Sequence, residues 1–197
     1  MKMYFTLAVI SAISMKMSFS QLNLNSITQS DTLFYFTDKR DDNKYKVIFI
    51  DTMIWMAEPM KFKVSESTCF NGKVKNCEKY GRLYSFDAAT KACPPGWRLP
   101  SNEDWNALIN FLGGDKKAGS SLMVGSPIGF INVFGYPPNV YGRYAEDNSE
   151  LHFWSSDVSE AGTAWNYYLI RDKLPLISSS FLSVNYKLNC TCVRGLE

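Results

Sequence analysis

The sequence predicts an α+β domain that is exported from the cell and closed by disulfide bonds. It contains 29 aromatic residues (13 Phe, 11 Tyr and 5 Trp), which favour short strands and loops over a helical bundle. Five cysteines follow an N-terminal segment typical of an export signal, and cysteines in exported chains are candidates for disulfides. A chain of 197 residues suits one domain with a proper core and is short for two.

Residues 1–20 are interpreted as a signal peptide. A basic start precedes Phe5–Met15, an apolar run of eleven residues that is too short to cross a bilayer as a helix. Small residues at Ser18–Ser20 favour cleavage before Gln21. Because Lys16 interrupts the end of this segment, a buried N-terminal helix is the alternative interpretation.

The predicted mature chain consists of a polar, flexible leader at residues 21–30 and a single domain at residues 31–197. It carries 19 basic and 19 acidic residues, because the signal peptide removes two of the 21 lysines and arginines and no acidic residue. A neutral chain without a cluster of Lys and Arg argues against binding nucleic acid or an anionic membrane surface by charge alone.

The first part of the domain is predicted to consist of short strands. Thr32–Thr37 and Tyr45–Ile50 are β-rich runs on either side of a charged turn, which predicts a hairpin. Met53–Ala57 predicts a third short strand. Lys61–Lys79 is expected to be a loop closed by its two cysteines.

A short helix is predicted within the stretch from Tyr80 to Trp105. Arg82–Phe86 begins as a strand, and Asp87 is the expected cap of the helix that follows and carries Cys93. The Pro-Pro-Gly-Trp sequence ends this helix, because proline cannot continue it.

A second helix is the most strongly indicated element of the chain. Ser101 is its predicted N-cap, and acidic residues in its first turn favour the helix dipole. Its apolar residues recur at helical spacing and predict one buried face. The four residues of this face are Trp105, Leu108, Ile109 and Leu112.

The C-terminal part combines a predicted loop layer with four strands. Asp115–Ser149 is rich in Gly, Pro, Ser and Asn, which is typical of a functional loop region. The predicted strands that follow are His152–Ser155, Thr163–Ile170, Pro175–Val184 and Leu188–Val193.

The cysteines allow more than one arrangement. Cys69 and Cys77 bracket a short polar loop, whereas Cys93 is far in sequence from Cys190 and Cys192. The last two share a face if they lie on one strand, so either could reach Cys93, and one thiol is left over. A bridge from Cys93 to Cys192 would close a loop of about a hundred residues, and it would contribute about 4 to 5 kcal/mol to the free energy of unfolding in the chain-entropy model.

Several motifs resemble those of the Fibrobacter succinogenes major paralogous domain (FISUMP) family. They are TDKRDDNKYKVIFI, IWMAEPMKF, CFNGKVKNCEKYGRLYSFDAATKACPPGWRLPSNEDWNALINFLGG, FWSS and CVRG, and together they span about Asp31 to Gly195. The resemblance implies an exported or surface-attached bacterial protein of a family commonly without assigned activity. Its helix-Cys-PPGW-LP-helix segment is similar to the start of a C-type-lectin-like fold, which would pack two short helices on antiparallel sheets below a long loop layer.

The resemblance also implies a cysteine pairing. Cys93 matches the helix cysteine of lectin-like domains and Cys192 matches their last-strand cysteine, while Cys69 and Cys77 match the small-loop pair of the family. Cys190 has no counterpart, so its thiol is a candidate for a bridge between two chains.

The residues give little support for catalysis. The single histidine, His152, is expected to be structural, because no serine or cysteine nucleophile signature accompanies it. The chain lacks zinc-type Cys-x-x-Cys spacing, a P-loop and a dinucleotide-binding fingerprint. We therefore expect no enzymatic activity and no cofactor. A remote alternative, from the likeness to formylglycine-generating enzymes, is an oxidase, which would need a reactive cysteine pair near the C-terminus.

Calcium is considered because many lectin-like domains bind sugars through it. The candidate ligands are Glu146, Asp147, Asn148 and Glu150, an acid-amide cluster before the FWSS strand. The Glu-Pro-Asn and Trp-Asn-Asp motifs of calcium-dependent lectins are absent, so an ordinary solvated loop is favoured.

Exposed aromatic residues could bind a sugar without calcium. The candidate ligand-binding residues are Tyr136, Asn139, Tyr141, Tyr144 and Trp165, because apolar rings beside polar groups suit such contacts. The alternative is that these rings cover the core. The four other tryptophans, Trp55, Trp97, Trp105 and Trp154, are expected to be structural.

The predicted function is a non-catalytic binding module for a glycan or protein ligand of a bacterial envelope, in the periplasm, at the cell surface or outside the cell. This prediction rests on an analogy of fold. The alternative is a structural or assembly component of the envelope that uses Cys190 to link chains.

Overall fold

The computed structural model describes residues 27–30, 33–122, 150–170 and 175–196. Within these ranges the chain forms three antiparallel sheets and four α-helices. None of the described helices has the length and apolar character needed to cross a bilayer.

The first sheet begins as a chain of hairpins. Its strands are β1 (Ile27–Ser30), β2 (Leu33–Thr37), β3 (Lys44–Ile50) and β4 (Met53–Met56), which pair in sequence order. The predicted hairpin and third strand are therefore confirmed. The leader expected at residues 21–30 is wrong for its last four residues, because they pair with β2 at the edge of the sheet.

The segment between the first sheet and the Pro-Pro-Gly-Trp turn is not a plain loop. It contains β5 (Ser67–Thr68), a 3₁₀ turn at Phe70–Gly72 and helix α1 (Val74–Tyr80). The loop expected over Lys61–Lys79 is thus wrong. The Nδ2 of Asn76 donates to the carbonyl of Phe70 at 2.8 Å, and the nearby bridge closes the same turn, so tertiary contacts stabilise a helix too short to be predicted from propensity.

Strand β6 (Leu83–Tyr84) pairs with β5 and leads into helix α2 (Phe86–Thr90). The N-cap of α2 is Ser85, whose Oγ accepts from the amide of Ala88 at 3.4 Å. The expected cap, Asp87, lies inside the first turn instead. A serine cap with an acidic residue in the first turn satisfies the free amides and the helix dipole together.

Helix α3 (Asn102–Phe111) confirms the second predicted helix. Ser101 and Asp104 form a capping box, in which each side chain bonds to the backbone amide of the other residue, at 3.2 and 2.7 Å. Trp105 and Leu108 of its apolar face are buried.

A further helix, α4 (Asp115–Leu122), occupies the start of the expected loop layer, which is therefore wrong for these residues. Gly119 explains how it packs: a Cβ at this position would lie 2.7 Å from backbone atoms of Leu176. Only glycine allows the helix to approach that strand so closely. The rest of the expected loop layer, residues 123–149, lies outside the described residues.

The third sheet consists of β7 (Glu150–Val158), β8 (Thr163–Ile170) and β9 (Leu176–Ser183), as the strand pattern predicted. The last predicted strand is shifted. Strand β10 (Val193–Gly195) adds to the edge of β4, whereas most of Leu188–Val193 connects the sheets through isolated bridges.

Two hydrophobic cores lie on opposite faces of the first sheet. Successive residues of β4 point to opposite faces, so Ile54 and Met56 enter one core and Trp55 enters the other. The first core contains α2 and the Pro-Pro-Gly-Trp turn, and the second contains α3, α4 and one face of the third sheet.

Candidate functional site

Two disulfide bridges close the domain. One joins Cys69 to Cys77, and the other joins Cys93 to Cys192 across 99 residues. Both are the pairs that the family resemblance implied. The long bridge connects the segment that follows α2 with the residue just before β10.

Arg40 ties the β2–β3 turn to the same place. Its guanidinium donates to the carbonyls of Ala92 at 2.7 Å and Cys93 at 3.1 Å, and it forms an ion pair with the buried Asp38 at 2.7 Å. These contacts satisfy both charges internally. These contacts are therefore structural, and they leave few hydrogen-bond donors of Arg40 for a ligand.

The thiol of Cys190 is fully buried. Burial raises its pKa far above the usual range, so the thiol stays protonated and unreactive. The prediction that Cys190 links two chains is therefore wrong, since a bridge between chains requires a sulfur that another molecule can reach.

His152 is held by both of its ring nitrogens. Its Nδ1 lies 2.9 Å from Oδ1 of Asn166, its Nε2 lies 3.0 Å from Oε2 of Glu150, and its ring stacks on Tyr168 at 4.9 Å. Only 5% of the residue is exposed. This arrangement agrees with the expected structural role.

The predicted calcium ligands are only partly described. Glu150 contacts His152, whereas Glu146, Asp147 and Asn148 lie outside the described residues. In the ranges that the structure describes, no three His, Cys, Asp or Glu side chains come together as a metal site would require.

Of the predicted sugar-contact residues, the structure describes Trp165. Its ring meets that of Phe181 edge-on, with centroids 5.9 Å apart, and Phe181 is 55% exposed. These two residues, which pair across β8 and β9, are called the aromatic pair below. The other four candidates, Tyr136, Asn139, Tyr141 and Tyr144, lie outside the described residues.

The next pair along the same face combines a buried ring with an exposed hydroxyl, since Tyr167 is only 4% exposed and stacks on Trp105. Tyr167 pairs with the exposed Ser179, and each lies two residues from a member of the aromatic pair. The hydroxyl of Tyr167 donates to Oδ1 of the exposed Asn106 at 3.3 Å. Burial, and to a lesser extent the charge of Asp157, raises the pKa of Tyr167, so its phenol remains a neutral hydrogen-bond donor.

A β-bulge places α3 beside this face. Three residues of β7, Ser155–Asp157, lie opposite the single residue Trp165 of β8. The bulge turns the Asp157 carboxylate towards α3, where it accepts from the amide of Asn102 at 2.6 Å. Bulges of this kind commonly redirect a side chain next to a binding site.

The sequence from residue 48 to residue 194 matches the family model of the Fibrobacter succinogenes major domain. This chain belongs to that family. The family resemblance drawn from the motifs is thus confirmed. The chain matches no curated protein and no solved structure.

Within this family member, the motif residues Arg98 and Asp104 form an ion pair at the start of α3. Both Nη atoms of Arg98 bond to the Asp104 carboxylate, one of them at 2.9 Å. The hydrogen bonds that Arg98 donates to the Asp104 carboxylate raise the pKa of Arg98. Burial acts to raise the pKa of Asp104, but hydrogen bonds from Arg98 and Ser101 outweigh it and hold this pKa below its usual value.

Sequence reasoning missed Phe181 and Ser179 as members of the exposed face. Both lie in an alternating strand with no motif, LISSSFLS, so only the register with β8 identifies their neighbours. The four tryptophans expected to be structural are all buried: Trp55, Trp97, Trp105 and Trp154.

Proposed function

We propose that this chain is an exported, non-catalytic binding module that recognises a glycan through the exposed end of the third sheet. The supporting observation is the aromatic pair, which presents Trp165 and the largely exposed Phe181 beside polar side chains. Exposed aromatic rings beside polar side chains are typical of a ligand site.

The geometry suits a sugar ring. Residues two apart on a strand are about 7 Å apart, so a sugar ring that covers Trp165 and Phe181 reaches the exposed hydroxyl of Ser179. The C–H face of a sugar packs on an aromatic ring, while its hydroxyls bond to the hydroxyl of the exposed Ser179 and to the amide of the exposed Asn106.

The non-catalytic assignment rests on the groups that could have reacted. Both ring nitrogens of the single histidine, His152, are occupied. An oxidase would need two reactive cysteines near the C-terminus, but Cys192 is bridged to Cys93 and Cys190 is buried. These side chains maintain the fold.

A lectin-like architecture and export form part of the same proposal. The bridge from Cys93 to Cys192 joins the α2 region to the last strand, which is the connection expected of a lectin-like domain. Two disulfides favour an oxidising compartment. The apolar N-terminal segment supplies the proposed signal for export.

A glycan array tests the proposal. The purified chain is applied with and without calcium, alongside Trp165→Ala and a control, Phe111→Ala, which removes a 61% exposed aromatic side chain at the end of α3. We expect the control to bind as the wild type does. Trp165→Ala should lose about tenfold or more in affinity, because a stacked ring contributes about 1.4 kcal/mol or more.

Two results would contradict the proposal. One is an array on which the wild-type chain binds nothing at high protein concentration. The other is equal binding by Trp165→Ala and the wild type, which would show that the aromatic pair covers the sheet and does not contact ligand. Thermal melts of all variants check that each is folded.

A further inference from the structure

The bridge between Cys69 and Cys77, called the short bridge here, is in contact with a cation. Nη1 of Arg82 lies 3.3 Å from Sγ of Cys77 and 3.6 Å from Sγ of Cys69. The same guanidinium donates from Nε to the Ser67 hydroxyl at 3.0 Å and from Nη2 to the Ser67 carbonyl at 3.3 Å. In the described ranges no carboxylate lies within ion-pair distance of Arg82, so no acidic side chain compensates its charge.

The backbone fixes the position of Arg82. Its amide donates to the Met60 carbonyl at 2.8 Å, and its carbonyl accepts from Nδ2 of Asn189 at 3.2 Å. The preceding residue, Gly81, has a φ of +74°, and a Cβ there would lie 2.6 Å from the Cβ of Pro59. Only glycine allows the chain to pass at this point, and the arginine that follows is therefore held beside the short bridge.

A cation beside a bridge favours its reduced form. Reduction converts the two sulfurs into thiols, and a neighbouring arginine stabilises the thiolate. A disulfide whose reduced form is stabilised in this way is reduced more easily, and the exchange is faster because the thiolate is a better leaving group. Since Arg82 is only partly exposed, solvent ions screen its charge less than they would at the surface.

The long bridge has different surroundings. Sγ of Cys93 lies 4.0 Å from the carbonyl of Thr191, and a carbonyl oxygen does not stabilise a thiolate. Arg40 donates to the Cys93 carbonyl and not to the sulfur. Among the described residues, no lysine or arginine bonds to either sulfur of the long bridge. The two bridges therefore differ in the charge that their sulfurs meet.

Loop length and exposure act in opposite directions. The short bridge joins residues 8 apart and the long bridge joins residues 99 apart, so opening the long one costs more stability in the chain-entropy model. Cys93 is partly exposed, whereas Cys69 and Cys77 are 8% and 6% exposed, which by itself would favour attack on the long bridge. Residues 71–75, between the two cysteines of the short bridge, are all exposed, and a local opening of this segment admits a thiolate.

We propose that the short bridge is a site of reversible thiol–disulfide exchange with a dithiol reductant, and that Arg82 stabilises its reduced form. A thiolate of the reductant attacks one bridge sulfur, the S–S bond breaks, and the electron pair leaves on the other sulfur as a thiolate beside Arg82. The second thiol of the reductant loses its proton and attacks the reductant's sulfur in the mixed disulfide, which releases the second cysteine. The bridge gains two electrons and two protons, and the reductant becomes a disulfide. This inference does not depend on glycan binding.

A redox titration tests the inference. The folded chain is equilibrated at neutral pH with reduced and oxidised dithiothreitol in varied ratios, free thiols are alkylated, and peptide mapping by mass spectrometry gives the reduced fraction of each bridge. We expect half reduction of the short bridge at a ratio of reduced to oxidised reagent about tenfold or more below that of the long bridge. Half reduction of the long bridge at the same or a lower ratio would overturn the proposal.

Three variants test the role of the cation. Arg82→Gln should raise the ratio needed for the short bridge about tenfold or more, because the thiolate loses a hydrogen bond from a charged group. Arg82→Lys keeps the charge and should need a lower ratio than Arg82→Gln. The control is Lys75→Gln, which removes the same charge from an exposed residue between the two cysteines and should leave the ratio unchanged.

The sign of the change separates charge from structure. If Arg82 only held the segment together through Ser67, its loss would loosen the segment and make the short bridge easier to reduce. Reduction of Arg82→Gln at the wild-type ratio or below it would therefore overturn the role of Arg82, as would an equal shift in Lys75→Gln. Near-ultraviolet circular dichroism checks that each variant is folded. If Arg82→Gln does not fold, the comparison of the two bridges in the wild-type chain decides the proposal.

Discussion

The segment from Leu83 to Trp105, called the motif stretch here, differs from the exposed residue pairs of β8 and β9. The motif stretch buries most of its apolar side chains, whereas those pairs leave side chains accessible to solvent. In the motif stretch, the hydroxyl of Tyr84 donates to the Phe62 carbonyl at 2.8 Å, and its own carbonyl accepts from Nε1 of Trp154 at 2.8 Å. On the strands, Phe181 is 55% exposed. The comparison separates residues that specify the fold from residues available to a ligand.

The largest expected effect comes from opening the long bridge of the motif stretch. Replacing Cys93 and Cys192 by alanine should cost about 4 to 5 kcal/mol of unfolding free energy, because the bridge closes a loop of 99 residues in the unfolded chain. Urea denaturation measures this loss. A change below about 1 kcal/mol would show that the motif contacts hold the domain without the bridge.

Cys190→Ala is the matched control for this experiment. It removes a buried sulfur but keeps both bridges, so it tests packing alone. We expect a loss of about 1 kcal/mol, since a buried cysteine behaves as a small apolar residue. A loss as large as that of the double variant would assign the stability to the core and not to the bridge.

The next effect compares two aromatic residues of the same helix. Trp105 is fully buried and packs against Tyr167 and Trp55 with centroid distances of 5.1 Å each. Trp105→Ala should cost about 3 to 5 kcal/mol. Phe111→Ala, at a 61% exposed position, should change stability by less than about 0.5 kcal/mol. Similar losses in both variants, measured by urea denaturation, would contradict the division into buried and exposed faces.

The smallest effect concerns the start of α3. Asp104→Asn removes a carboxylate that bonds to Ser101 and Arg98, and it should cost about 1 kcal/mol at pH 7. Because the pKa of Asp104 in the folded chain is lowered, its charge adds stability above the unfolded pKa of about 3.9. That stability is lost as the pH falls through the folded value.

The stability difference between wild type and Asp104→Asn should therefore be full near neutral pH and shrink below about pH 4. Urea denaturation over this range measures it. If the stability difference between the two proteins stayed constant with pH, the charge of Asp104 would contribute nothing to stability.

The predictions for the fold succeeded where the signals were local. The capping residue Ser101 and the apolar face from Trp105 onwards identified α3, and the third sheet followed from its alternating strands. The errors occurred where short elements depend on tertiary contacts. Helix α1 needs the neighbouring bridge, and α4 needs the close approach of Gly119 to β9.

The candidate site was less predictable than the fold. Composition alone pointed to Trp165, but its partner Phe181 lies sixteen positions further along the chain and becomes a neighbour only through strand register. A surface cavity likewise brings Gly96 and Arg98 together with Arg194, almost a hundred positions further along the chain. No local sequence pattern identifies these neighbours, because a one-residue change of strand register would bring different side chains together.

The sequence by itself determined the family, the main strands and the best capped helix, because these follow from neighbouring residues and their spacing. The spacing of the cysteines left Cys190 and Cys192 equivalent as partners of Cys93, and the family resemblance favoured Cys192. The tertiary structure shows that the Cys192 sulfur reaches Cys93 and that the Cys190 sulfur is buried elsewhere. It also decided which aromatic residues stay exposed. Pairing and exposure depend on the path of the whole chain, which is set by the packing of distant segments.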